Sequence, residues 1–361
     1  MKPISILVDS FADQGLTNAQ MINGREIIRR LAPERFQVSV FHVADPDPKI
    51  VARPNTRLVR LPQRRQTVRI LEEFFMGSHR LLFYVKPSPA AKLYLTLRSR
   101  SKGRPVVVGS VESQSDLRNE PTINAVNIRM WEQTVLRSDV LFSNSQSVRQ
   151  SLEREYHLSS EVIPTGVDTD VFRPPDDPAP RARTRVLFVG SLRPFKGPQV
   201  VVQAAARFPT ADFVIVGDGT LQEELRQRVR AERLGNVTLT GPLGRSAVLE
   251  HYQQSDILLF PSRWEGSPRV ILEAAACGLP VIARNDYQPE TVVDGKTGFL
   301  AGCDEDLFSR LGQLLHHVEL RRQMGDAGRR HIMRFDWEPI TRQWEEAFLH
   351  LLSGTPPHGM R

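Results

Sequence analysis

Cysteine is scarce: Cys277 and Cys303 are the whole complement of this 361-residue chain. Two thiols give no disulfide framework and no metal-ligand spacing, which points to a reducing compartment. Long apolar runs are missing as well. None approaches the roughly 20 residues that span a bilayer, and Ile4 to Val8 is too short for a signal-peptide core, so the chain is expected to be cytoplasmic. No Gly-x-Gly-x-x-Gly follows a strand with an acidic residue about 20 positions on, which excludes a nicotinamide-dependent oxidoreductase. Gly295-Lys296-Thr297 ends like a phosphate loop, but the earlier glycine of that motif would fall at Glu290. Asp-x-Asp begins at Asp45, Asp168 and Asp304, as chance allows in acidic turns, and is no sign of a manganese site.

What is present is uneven. Between Lys49 and Arg104 stand fourteen Lys and Arg against Glu72 and Glu73, a net +12, while the whole chain carries +7. The remainder is net acidic, so a basic face belongs to the first half. Anionic membrane lipid, a phosphorylated glycan or lipid acceptor, or nucleic acid could each meet such a face.

Length allows two domains of ordinary size, and the pattern supports them. Ile4 to Val8 is an apolar run, followed by a polar turn from Asp9 to Thr17 and a helix from about Asn18 to Leu31, the opening of a doubly wound α/β fold. Strands are expected at Gln37 to Val43, Arg57 to Leu61, Leu81 to Val85, Pro105 to Gly109 and Val140 to Ser143, with helices near 67 to 76, 88 to 101 and 122 to 137. This alternation predicts a parallel sheet covered on both faces. The Pro-rich run Pro174 to Arg183 reads as a linker. Beyond it the grammar restarts, with strands at Arg185 to Gly190, Ala211 to Gly217, Val237 to Thr240, Asp256 to Phe260 and Val281 to Ala283. Helices at Gly197 to Phe208, Leu221 to Arg233 and Ser246 to Gln253 alternate with them. After Asp304 the chain looks helical, and Trp344 and Phe348 share one helix face.

Chemistry concentrates between Phe260 and Pro280. The strand breaks at Pro261-Ser262, crosses a polar loop and resumes as a small-residue helix. Ser267 suits the N-cap and Pro268 the first helical position, so the amides of Arg269 and Val270 are expected at an anion-binding helix start. Glu265 precedes that helix and Glu273 lies within it. Carboxylates repel a bare phosphate but accept hydrogen bonds from sugar hydroxyls, so the pair predicts a ligand carrying both phosphate and sugar. Gly190-Ser-Leu-Arg-Pro-Phe-Lys-Gly197 follows a strand and opens a helix; its glycines allow close backbone approach, and Arg193 and Lys196 can neutralise a diphosphate.

Glu265, seven intervening residues and Glu273, followed by Ala-Ala-Ala-Cys-Gly-Leu-Pro, resemble the signature of the family 4 retaining glycosyltransferases. The resemblance implies an α/β fold of GT-B type: two Rossmann-like doubly wound domains facing across a cleft, with a C-terminal helix crossing back to the first domain. The divisions expected are 1–173 for the acceptor domain, 174–183 for the linker, 184–335 for the nucleotide-sugar domain, 336–352 for the crossover helix and 353–361 for the tail. Residues 162 to 173 resemble the family's hinge-side segment, a Pro-x-Gly-Val-Asp turn followed by Phe. Phe335, Trp337, Trp344 and Phe348 then serve packing.

By the same resemblance Glu273 accepts from the ribose hydroxyls and Glu265 from the donor sugar. Lys196-Gly197 matches the more constant half of the family's basic pair on the donor diphosphate, and Arg193 stands in where Ser191 replaces the usual Arg. Catalytic roles fall to Glu265, Lys196 and Arg193. Donor contacts are expected from Gly15, Gly190, Ser191, Gly217, Leu243, Gly266, Ser267, Arg269 and Val270. Gly217-Asp-Gly219 and Gly241-Pro-Leu-Gly244 lie at strand ends, with Leu243 against the base. Gly15 stands alone where the family often has a pair. No His follows the strand Pro105 to Gly109, and Ser110 or Glu112 takes that acceptor-side place; His42 and His79 carry no assigned role.

The implied reaction retains anomeric configuration, with the protein orienting the substrates and stabilising the departing diphosphate. No metal and no cofactor beyond the nucleotide-sugar substrate are expected, with UDP or GDP ahead of ADP. The acceptor is a hydroxyl on a surface polysaccharide, a lipid-linked glycan or a small molecule, the basic face can rest on the inner membrane surface, and nucleic acid is not an expected partner. The alternative is a non-catalytic basic protein that binds polyanions or membrane on a glycosyltransferase-like scaffold.

Overall fold

The computed structural model of the chain describes residues 2–14, 19–98, 104–113, 125–177 and 182–353. Gly15, part of the expected linker and most of the tail fall outside those residues. Strands form where the sequence offers short unbroken apolar runs. Leu81–Phe83 and Ile257–Phe260 are buried along their whole length, the mark of parallel strands covered on both faces.

The chain divides into two compact units. One comprises Met1–Thr165 with Trp337–Arg361, the other Gly166–Asp336. The first holds β1 (Ile4–Phe11), β2 (Phe36–His42), β3 (Thr56–Arg60), β4 (Leu81–Phe83), β5 (Val106–Val111), β6 (Val140–Ser143) and β7 (Glu161–Val162), in the order β3-β2-β1-β4-β5-β6-β7. All pair in parallel. The second holds β8 (Arg185–Val189), β9 (Asp212–Val216), β10 (Val237–Gly241), β11 (Ile257–Phe260), β12 (Val281–Arg284) and β13 (Gly298–Ala301), in the order β10-β9-β8-β11-β12-β13, also parallel. Both are Rossmann-like. In each, the chain starts mid-sheet, winds outward, then reverses between its first and fourth strands.

The helix Trp337–Ser353 closes the first unit's core. Its apolar face at Trp337, Ile340, Trp344 and Phe348 packs into the core formed by β1, β2, β4 and β6. Trp344 lies 4.9 Å from Phe83 and 4.8 Å from Phe142, and Phe348 lies 4.9 Å from Phe83. Glu345 fixes its angle by accepting from the Ala32 amide at 2.6 Å and Arg35 at 3.0 Å.

Several boundaries differ from the sequence reading. Residues 166 to 173 pack with the second unit: Val167 and Phe172 lie in its core, and Thr169 donates to Asp336 through both its amide and its hydroxyl. The expected helix over 122 to 137 is, among the described residues, Ala125–Glu132 and a 3-10 turn at Val135–Arg137. The helix Gln146–Tyr156 carried no prior assignment, although Ser145 caps it through the Val148 amide. Strands β7 and β13 were also unassigned. In β13 a Cβ on Gly298 would lie 2.1 Å from the Val281 carbonyl oxygen, so a close backbone approach interrupts the usual strand composition there.

Candidate functional site

Ligands of doubly wound sheets bind outside the carboxyl ends of the strands, where the strand order reverses. In the second unit that point lies between β8 and β11, and the two loops leaving it are Gly190–Gly197 and Pro261–Pro268. They are bound to each other. The Arg263 amide donates to the Phe195 carbonyl at 2.9 Å, and the Phe195 and Trp264 rings stack at 6.2 Å. Gly197 adopts φ +72°, with Pro261 O 2.8 Å from where a Cβ would stand. Only glycine meets both demands.

This clamp brings Lys196 onto Glu265. The two form an ion pair, and the Ser262 hydroxyl donates to the same carboxylate oxygen at 2.6 Å. Lys196 Nζ also lies 5.2 Å over Phe195 and 5.9 Å over Phe260. With side-chain exposures of 20% and 11%, the pair is shielded yet open to a ligand. Arg193 is exposed and joins no ion pair with a described residue.

Glu273 sits one turn into the helix Arg269–Ala276. It accepts from Arg269 at 3.2 Å and from the Tyr252 hydroxyl at 3.2 Å. Burial first, then the Glu273 charge, pushes the Tyr252 phenol well above its ordinary range, so it stays a neutral donor. Burial and Glu273 likewise push the Cys277 thiol up to about 12, which removes it as a nucleophile near neutral pH.

The helix start differs from expectation. The residue before Arg269 is Pro268, in extended conformation, so the cap position falls on a proline, which makes no side-chain cap hydrogen bond, and not on Ser267. Proline fixes the entry one residue later than the sequence reading placed it. The first amides of the helix still have no intrahelical acceptor, and Val270 and Leu243 pack against the second unit's core. Gly266 is buried and Ser191 and Ser267 half-buried in the two loops.

Gly190 and Gly217 meet each other: a Cβ on Gly217, at φ +139°, would lie 1.9 Å from Gly190 O. Glycine at 217 is thus required by one loop crossing another, whereas a Cβ on Gly190 would meet only the Phe188 ring at 3.3 Å. Tyr287, which the sequence reading passed over, is fully buried after β12, and its hydroxyl makes no hydrogen bond with a described residue. Burial and then the Glu265 charge push its phenol well up. No motif marks it; its only signal is its place in a strand-end loop.

The corresponding edge of the first unit lies where β1 meets β4. Ser110 is held inside β5 opposite Phe142. Glu112, just beyond, accepts from the Tyr84 hydroxyl and from Asn23 at 3.1 Å. Asp9 and Lys86 meet there as well and were not foreseen. At the opposite, amino end of the first sheet a cavity of about 570 Å³ is lined by Ser5, Arg57, Arg69, Glu73 and His79 among others. Its charges satisfy one another: Glu73 accepts from Arg57 and from Arg69 at 2.8 Å, which ties the helix Gln66–Met76 to the sheet.

Two family models cover most of the chain. Residues 25–171 match the one described as Glycosyltransferase Family 4, and residues 174–331 the one described as Glycosyl transferases group 1. The chain is 34% identical over 262 residues to a D-inositol 3-phosphate glycosyltransferase of Corynebacterium jeikeium, a match covering 64% of this chain and 62% of that protein. It is 36% identical over 219 residues to a GDP-mannose-dependent alpha-(1-6)-phosphatidylinositol monomannoside mannosyltransferase of Mycolicibacterium smegmatis, covering 54% and 56%. The match spans less than two thirds of either relative. Among solved structures, sucrose-phosphate synthase from Thermosynechococcus elongatus superposes over 98% of this chain and 100% of its own, with a TM-score of 0.81 at 20% identity. Anabaena HepE in complex with UDP and glucose superposes over 96% and 99%, with a TM-score of 0.75 at 18% identity. Such identities speak for the fold alone.

Proposed function

The chain belongs to the glycosyltransferases that these two family models describe, and on that premise we propose that it moves a sugar from a nucleoside-diphosphate sugar to a hydroxyl acceptor with retained anomeric configuration. The observation that carries this reading is the clamp at the β8–β11 switch point, which sets Lys196 and Glu265 beside a helix start that bears Glu273. Glu273 takes the ribose hydroxyls, with Tyr252 and Arg269 fixing its rotamer. As donor enters, Lys196 exchanges Glu265 for a diphosphate oxygen and Glu265 accepts from the sugar. Charge developing on the departing diphosphate then meets Lys196, Arg193 and the amides of the helix start, groups already oriented before reaction. Tyr252, Tyr287 and Cys277 are held protonated, so none of the three supplies a nucleophile, in keeping with front-face attack by the acceptor hydroxyl.

UDP and GDP sugars are the donors favoured. The HepE structure is a complex with UDP and glucose, and the M. smegmatis relative is named for GDP-mannose. The acceptor favoured is a surface polysaccharide or lipid-linked glycan reached at an anionic membrane surface. Val68 and Met76 are 52% and 82% exposed on the helix Gln66–Met76, and exposed Arg64 and Arg65 precede it, a basic face with apolar anchors. No helix among the described residues is long and apolar enough to cross a membrane.

The test is release of nucleoside diphosphate from UDP and GDP sugars by the full chain with a panel of glycan and lipid-linked acceptors. Acceptor-dependent release from one donor, lost in Glu265→Gln and Glu273→Gln, is the expected result. No release from any donor, or release indifferent to both substitutions, contradicts the reading.

A further inference from the structure

The first unit's switch point carries a cation that the proposed reaction leaves without a task. After β4 the chain turns at Tyr84, a non-glycine residue at φ +63°, a conformation that costs of order 1 kcal/mol or more. The strained turn delivers Lys86 to the end of β1. There its Nζ is buried, makes no hydrogen bond with any described residue and lies 4.3 Å over the Phe11 ring. Its backbone amide donates to Asp9 Oδ2 at 2.9 Å, so Asp9, itself only 5% exposed, is engaged by the main chain and not by the ammonium. Burial drives both groups toward neutrality, Lys86 down to about 8 and Asp9 up to about 6. A lysine kept for solubility extends its head into water, and one kept for structure pairs it at hydrogen-bond distance. Lys86 does neither.

A second group on the same edge points the same way. Asn144, buried just after β6, gives its amide nitrogen to the Glu112 carbonyl at 3.2 Å and Thr165 at 3.4 Å, while its Oδ1 accepts nothing from a described residue. Strands β4 and β6 flank β5, so the two groups stand roughly 10 Å apart across the sheet, the span of a sugar-sized ring with one substituent. The edge offers one buried cation lacking an acceptor and one buried acceptor lacking a donor.

We propose that Lys86 binds a phosphate carried by the acceptor, and that Asn144 accepts from a hydroxyl of the same molecule, so that this transferase is specific for a phosphorylated polyol or sugar. The proposal rests on the donor occupying the second unit. Phosphate chemistry on Lys86 could also come from the donor's diphosphate, and the test separates the two.

The full chain, saturated with whichever of UDP or GDP it binds, is titrated calorimetrically with inorganic phosphate and with glycerol 1-phosphate. Wild type, Lys86→Met, Lys86→Arg and Glu273→Ala are compared, with thermal unfolding of each. In Lys86→Met both phosphates should bind at least tenfold more weakly, with nucleotide affinity unchanged and Tm equal or higher because a buried charge has been removed. Lys86→Arg should keep most phosphate affinity. Unchanged phosphate binding in Lys86→Met overturns the proposal. Parallel loss of nucleotide affinity assigns Lys86 to the donor and overturns it as well, and a Lys86→Met chain that fails to fold makes the lysine structural. If no nucleotide binds wild type, or Glu273→Ala binds it normally, the donor reading fails, while the phosphate titrations still decide on Lys86.

Discussion

The two sheets reverse strand order at equivalent places, yet the charges there are arranged in opposite ways. In the second unit Lys196 meets Glu265 and Arg269 meets Glu273, each pair joined by a hydroxyl donor from Ser262 or Tyr252. In the first unit Lys86 has an aromatic ring beneath it and no hydrogen-bonded anion, and Asp9 is buried with its carboxyl pushed up to about 6. A site whose charges are paired in advance can serve a ligand of fixed chemistry, because the same charges are exchanged for it. In the first unit the Asp9 and Asp13 charges act on Lys86 without a hydrogen bond, and burial drives Lys86 and Asp9 toward neutrality instead.

The contrast breaks most directly at Lys196. Lys196→Met should lower stability by about 2 to 3 kcal/mol in urea unfolding, because Glu265 stays shielded without its cation. Lys196→Met with Glu265→Gln should recover most of that loss without recovering donor binding. A Lys196→Met chain as stable as wild type would show that the second site's charges are not paired in any energetic sense.

The first site is probed by pH. Asp9 binds its proton more tightly folded than unfolded, its pKa being about 6 against an ordinary 3.8. Between about pH 4 and 6 the folded chain therefore holds more protons than the unfolded one, and Asp9's contribution to stability, complete below pH 4, is lost as pH rises through 6. Asp9→Asn removes that slope. Its stability relative to wild type should improve by up to about 3 kcal/mol across the window, measured as denaturant midpoints at each pH. A gap constant from pH 4 to 7 would mean that Asp9 titrates normally.

Glu273→Ala should weaken nucleoside-diphosphate binding by about 1.5 to 3 kcal/mol, the range for a hydrogen bond to a charged group. Tyr252→Phe should have the smallest effect, about 1 kcal/mol on the same affinity, since it removes only the hydroxyl that orients Glu273. An effect of Tyr252→Phe equal to that of Glu273→Ala would make the phenol a ligand contact in its own right.

Legibility in the sequence followed this same divide. Glu265, Glu273 and Lys196 stand in two short segments, each running from a strand end into a helix, so each segment is legible locally, and the family resemblance, not the spacing, joins them in one donor site. The helix start was misplaced by one residue because Ser267 and Pro268 together read as a cap and first turn, whereas Pro268 itself took the boundary. Gly217 looked like a ligand-facing glycine and is equally required by the Gly190 carbonyl, a contact no local pattern reveals. Glu112 is legible through its place after the fifth strand, whereas Asp9, Lys86 and Asn144 come from three other strand ends, and only the strand order brings them to the same edge. Residues 166 to 173 joined the second unit because Val167 and Phe172 are core side chains there, while the Pro-rich composition of 174 to 183 drew attention past them.

The central claim is that the second unit binds a nucleoside diphosphate through Glu273. Thermal unfolding of wild type and Glu273→Ala with UDP, GDP, ADP and NAD tests it most directly, because a ligand at 100 times its dissociation constant stabilises by about 2.7 kcal/mol. The account predicts a rise in Tm with UDP or GDP that is reduced or lost in Glu273→Ala, and none with NAD. No shift with any nucleoside diphosphate, or a shift identical in the variant, would contradict it.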